Sequence, residues 1–136
     1  MLRTLLTAVL LVAPASIAAA APAPIVFFDI AGPDMGKQTA FYRDVFGWTT
    51  GPGGTISATV AGSRLDGALR QDPANKIIYL GVDDVTASLA QVVAHGGKIV
   101  QPRFEVKGVV VLGLFTDPAG NSMGLVEMQS GKPKVP

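Results

Sequence analysis

The chain has 136 residues, with 11 Lys and Arg against 10 Asp and Glu, one His and no Cys. A near-neutral balance with no basic run or stripe excludes an electrostatic nucleic-acid footprint. The absence of Cys excludes a disulfide framework, a thiol nucleophile and thiolate metal ligands.

Arg3 gives the chain a short positive start, Leu5 to Val12 is a compact apolar run interrupted only by Thr7, and Ala18-Ala19-Ala20 offers the small residues of a cleavage site. These are the parts of a secretory signal peptide, too short and wrongly flanked for a spanning helix. Residues 1–21 are predicted to be that signal, cut after Ala20 or Ala21; an uncleaved membrane anchor is the other reading. Residues 22–136 then form one domain of about 115 residues, an ordinary domain size, periplasmic or secreted. It has no membrane partner after cleavage and relies on its core without disulfides.

Ile25 to Ala31 reads as a strand with Phe27 and Asp29 on one face and Val26, Phe28 and Ile30 on the other. Asp34 is placed to cap a helix from Met35 to Phe46, in which Ala40, Phe41 and Val45 fall at helical spacing, and Gly47 follows as its C′ residue. Trp48 opens a second strand region, and Gly51-Pro52-Gly53-Gly54 is a turn; with no Lys-Ser/Thr after it, it is not a phosphate loop. Thr55 to Val60 alternates polar and apolar, as a strand with one wet face does. Arg64 to Arg70 is a weaker strand in which Gly67 marks a bulge or a close approach.

Gln71 to Lys76 is a polar linker, after which the pattern restarts. Ile77 to Val82 is a strand, Asp83 or Asp84 caps a helix through Val85, Leu89, Val92 and Val93, and Gly96-Gly97 ends it. Lys98 to Val106, Val109 to Phe115 and Asn121 to Met128 are strands, the last two joined by the turn Asp117-Pro118-Ala119-Gly120-Asn121. Lys132 and Lys134 lie in a Pro-containing tail predicted to fray. The expected fold is α+β: two βαβββ modules, roughly 25–70 and 76–128. Each is too small to bury a core alone, so they pair into one curved sheet around a cleft, with the helices on the convex face.

At this point the residues resemble a family. Phe41-Tyr42-Arg43-Asp44-Val45-Phe46-Gly47-Trp48, Val82-Asp83-Asp84-Val85 with Gly96-Gly97-Lys98, and Asp117-Pro118-Ala119-Gly120-Asn121 are similar, in that order, to segments of the vicinal oxygen chelate superfamily. The nearest branch is the glyoxalase/bleomycin-resistance one. The resemblance implies paired βαβββ modules around a cleft, often as dimers. It also implies a divalent metal held by His and Glu on the concave sheet, which polarises vicinal oxygens of a substrate.

The implied ligand positions fall on Phe27, Ile77 and Gly124, and no His or Glu stands between Trp48 and Ile77 for the remaining one. None of these side chains coordinates such a cation, so no metal and no cofactor are expected. Glu127 is three residues beyond Gly124, so alternation turns it to the opposite face, where it reads as a strand-end charge in solvent. His95, the single His, sits where a cation suits a helix C-terminus. The serines have no evident His partner.

Phe27, Asp29, Trp48, Ile77, Tyr79 and Gly124 are the candidate cleft residues. Their mix suits a small hydrophobic or planar ligand held by one or two polar contacts. The expected function is an exported, metal-free binding module. The alternatives are an enzyme of lyase, isomerase or dioxygenase-like type, with an atypical metal site or with Asp29 and Tyr79 as a metal-free acid/base pair, and a dimer whose cleft is vestigial.

Overall fold

The computed structural model describes residues 21–62 and 64–136. The predicted signal peptide, apart from Ala21, lies outside them. In order, the elements are β1 (Ile25–Gly32), α1 (Met35–Phe46), a 3-10 turn (Pro52–Gly54), β2 (Thr55–Ile56), β3 (Asp66–Gln71), β4 (Asn75–Val82), α2 (Val85–Ala94), β5 (Lys98–Val106), β6 (Val110–Thr116), β7 (Ser122–Gln129) and β8 (Lys132–Pro133). The strands form one mixed, curved, open sheet in the order β2-β3-β1-β4-β7-β6-β5, with β8 beside β7.

Local chemistry sets the helix ends. Asp34 and Asp84 are both extended at the N-cap; their carboxylates accept from the Lys37 and Ala87 backbone N–H groups at 3.0 and 2.8 Å. Gly47 takes the left-handed conformation (φ 69°) and donates to the Arg43 carbonyl, while Trp48 N–H reaches Tyr42.

The two halves are built alike but unequally. Parallel pairs β1–β3 and β4–β7 are equivalent, and antiparallel β1–β4 joins the halves. The second half is a full βαβββ unit, whereas the first has no strand between α1 and the two-residue β2. The strands expected at Trp48 and across Thr55–Val60 therefore reduce to Thr55–Ile56. Ser57 Oγ accepts from Val60 N–H at 3.3 Å, Asp66 accepts from Ala58 N–H at 2.8 Å, and Ala61 N–H returns to the Ser57 carbonyl. These local bonds compete with a sheet ladder and turn the chain.

Both helices lie on one face of the sheet. There Val85, Leu89, Phe115 and Leu125 form a core cluster, and Val85 and Leu89 occupy the space that a side chain at Gly113 would need. α1 is less well covered. It buries no residue, and Phe41, Val45 and Phe46 are 52%, 58% and 59% exposed.

Two expectations for the C-terminal end are overturned. The tail does not fray: β8 pairs with β7, Lys134 N–H donates to the Glu127 carbonyl at 2.8 Å, and Gly108 N–H donates to Pro136 at 3.1 Å. Glu127 does lie on the face opposite Gly124, but it is 5% exposed and not a solvent charge. Its oxygens accept from Arg103 Nε at 2.9 Å, Arg103 Nη2 at 3.1 Å, Lys134 Nζ at 2.8 Å and the Val85 N–H that opens α2 at 3.3 Å. The hydrogen bonds from Arg103, then from Lys134, hold its carboxyl down at about 2.

Candidate binding cleft

The face of the sheet away from the helices carries a second cluster, Ile77, Tyr79 and Val126, with Val26, Phe27, Val110, Leu112, Leu114 and Met128 packed on it. Val26 was expected on the other face. The β1–β4 register shifts between Ile25 and Phe27, which brings Val26 and Phe27 to the same side.

Register explains how the candidates meet. Phe27 lies opposite Tyr79, Asp29 opposite Ile77, and Tyr79 opposite Gly124 on its other flank. The turn before β7 fixes the β6–β7 register, which sets Leu114 opposite Gly124. Asp117 Oδ1 accepts from the backbone N–H groups of Ala119 and Asn121, both at 2.9 Å, and Asn121 Nδ2 donates to Asp117 Oδ2 at 2.7 Å. Five of the six sequence candidates, Phe27, Asp29, Ile77, Tyr79 and Gly124, thus share this face of the sheet.

The sixth, Trp48, does not join them. It stacks on Tyr42 (centroids 5.5 Å apart, 17° between planes) and leans on Phe28, a helix-face residue. Leaving α1 through left-handed Gly47 turns the indole back over the helix. His95 also stays outside the cleft, with Nδ1 2.8 Å from the Gln91 carbonyl within its own helical turn.

The centre of the cleft is occupied by protein. Phe27 and Tyr79 meet edge to face at 5.7 Å, and the Tyr79 ring lies so close to Gly124 that a Cβ there would come within 2.2 Å of it. Space opens around this wall. Cavities of about 480, 430 and 320 Å³ all include Tyr79 in their lining; Phe27, Asp29 and Arg70 line the first. The 320 Å³ cavity is the most apolar, walled by Val26, Phe27, Val110, Leu112 and Val126.

One polar group is set in this floor. Asp29 is 3% exposed. Its Oδ2 accepts from Tyr79 Oη at 2.8 Å and Arg70 Nε at 3.3 Å, and Arg70 also pairs with Asp72. Burial, and then the hydrogen bond to Asp29, push the Tyr79 phenol above its usual range. Tyr79 is therefore a neutral donor near neutral pH, not a base. Sequence reasoning missed Arg70. The signal was Asp29 itself, a carboxylate in an apolar strand that needs a buried donor.

Removing that donor has a measurable cost. Tyr79→Phe is expected to lower stability by about 1–3 kcal/mol in denaturant unfolding, because it strips a hydrogen bond from a buried carboxylate. A loss under about 0.5 kcal/mol, typical of a surface change, would show that Asp29 does not depend on Tyr79.

These residues do not suit the metal that the superfamily resemblance implies. The carboxylates lining the cavities are separately engaged: Asp29 by Tyr79 and Arg70, Asp66 by Ala58 N–H, Asp72 by Arg70. Among the described residues, no group of three or more His, Cys, Asp or Glu side chains is placed to hold a metal ion.

The fold is that of a protein of the vicinal oxygen chelate type. A family profile described as glyoxalase-like domain matches residues 25–126, and the chain belongs to that family. It is 28% identical to the anthracycline biosynthesis protein DnrV of Streptomyces peucetius, over 74% of this chain and 45% of DnrV. The chain spans less than half the length of the curated relatives it matches. Among solved structures, methylmalonyl-CoA epimerase from Mycobacterium tuberculosis superposes with a TM-score of 0.56 at 16% identity, covering 81% of this chain and 87% of the epimerase. The Mn(II)-bound glyoxalase from Novosphingobium aromaticivorans gives 0.55 at 23% identity, over 81% of this chain and 40% of the glyoxalase. Both likenesses concern the fold.

Proposed function

We propose that this protein is a metal-free glyoxalase-like module, exported through a cleaved signal peptide, that binds a small hydrophobic or planar molecule in its cleft. One observation carries the reading. The positions where the superfamily resemblance puts metal ligands hold Phe27, Ile77 and Gly124, and the Tyr79 ring packs against Gly124. The apolar walls and cavities of a few hundred Å³ around Tyr79 are of the size and character that small ligands occupy.

The test is elemental analysis of the purified protein together with thermal shifts against divalent cations and naphthalene-type probes. The expected result is less than about a tenth of an equivalent of metal, no cation-induced shift, and a probe-induced rise in Tm. A probe at about 100 times its Kd adds roughly 2.7 kcal/mol. One equivalent of bound metal would overturn the proposal and return the cleft to the metal chemistry of the superfamily.

A further inference from the structure

Asp29 is only half satisfied. Oδ2 takes both protein donors, while Oδ1 is buried with no hydrogen-bond partner among the described residues. A carboxylate oxygen shut away from water without a donor is unfavourable, and a native fold rarely leaves one so. Here it belongs to the residue that lines the 480 Å³ cavity beside Phe27, Arg70 and Tyr79.

The surrounding charge narrows what completes it. Arg70 is shared between Asp29 and Asp72, so these three groups leave a net negative charge. Tyr79 is a neutral phenol whose proton is committed to Asp29. An anionic ligand would meet that negative charge with Arg70 already engaged on both sides. A neutral or cationic donor would meet a free acceptor once the side chains that bury Oδ1 move aside.

We infer that the molecule held in this cleft is anchored by its own hydrogen-bond donor, an O–H or N–H on an otherwise apolar frame, to Asp29 Oδ1. This rests on the cleft being a binding site. Phe27 and Tyr79, packed edge to face, supply the apolar wall and Asp29 Oδ1 the single point of orientation. A site built on a buried acceptor rejects the analogue that lacks the donor, because the acceptor is then left unpaired.

The experiment compares 2-naphthol, 2-methoxynaphthalene and 2-naphthoate on the purified protein and on Asp29→Asn, by calorimetry. In the wild type, 2-naphthol is expected to bind about tenfold or more tightly than the methyl ether, and the naphthoate most weakly. In Asp29→Asn the amide oxygen stays toward the Tyr79 and Arg70 donors, which places the amide N–H₂ where Oδ1 was. The preference for 2-naphthol over the ether is then lost or reversed. Equal wild-type affinity for naphthol and ether would overturn the donor anchor while leaving the binding cleft standing, and so would a tightest-binding naphthoate, which would make Arg70 the anchor. Failure of all three to bind would remove the cleft reading and the anchor with it. The wild-type comparison decides even where the variant does not fold.

Discussion

Gly124→Ala is expected to destabilise the protein by about 2–3 kcal/mol, a large effect for one methyl group. The added Cβ would stand 2.2 Å from Tyr79 Cδ1 and 2.3 Å from Cε1, so the ring has to swing away. Overpacking a filled site costs about 1–3 kcal/mol. The moving ring also withdraws its edge from Phe27 and its hydroxyl from Asp29. The backbone at Gly124 is not in the left-handed region, so the chain itself accepts alanine and the clash is the whole cost. A double-mutant cycle isolates it. In a Tyr79→Ala background the penalty should fall to within about 0.5 kcal/mol of zero. The same penalty in both backgrounds would show that Gly124 is needed for something other than the Tyr79 ring.

Glu127→Gln is expected to cost about 2–3 kcal/mol, since it removes the charge that Arg103, Lys134 and the first N–H of α2 all address. The figure sits below the upper range for a broken buried pair because Arg103 and Lys134 are 30% and 39% exposed and regain water. The pH dependence follows from the lowered carboxyl. A group whose folded pKa is depressed stabilises fully above its unfolded value, near 4.5, and loses that contribution as pH falls through its folded value, about 2. The stability of the wild type should therefore drop between about pH 5 and pH 2, and that of Glu127→Gln should drop less over the same window. Parallel curves would remove Glu127 from the account of acid sensitivity.

Much of this architecture was legible because its signals are local. Asp34 and Asp84 cap helices through backbone groups three residues away, and the apolar runs of β4, β6 and β7 carry their own period. The shared face of Phe27, Asp29, Ile77, Tyr79 and Gly124 followed from strand alternation together with the family resemblance that singled out Phe27, Ile77 and Gly124. What escaped depends on pairing between distant parts of the chain. The Thr55–Val60 alternation is that of a strand, yet the carboxylate of Asp66, eight residues past Ala58, bends it into a turn. Arg70 reaches Asp29 only because β3 runs parallel to β1 in a register that sets Ala31 against Arg70 and Asp29 against Ala68. Glu127 meets Arg103 from β5 and Lys134 from the tail, neither of which a single strand reveals. Val26 changed faces through one register shift.

The inequality of the two halves also bears on how each side is held. Beyond β4, the sheet runs on through three strands, β7, β6 and β5, backed by α2. Beyond β1, it has β3 and then a two-residue β2, backed by a helix that buries nothing. Opening free energies within a fold track both local burial and backbone pairing. The wall formed by residues 52–56 against Leu69 has the shorter ladder, but Ile56 and Leu69 there are 0% and 1% exposed, so pairing and burial pull in opposite directions. Gly53 and Gly54 belong to that wall and also line the cavity beside Asp29. On the proposed binding role, the wall beside Asp29 is thus held more by one buried side chain, Ile56, than by a long ladder of backbone pairs.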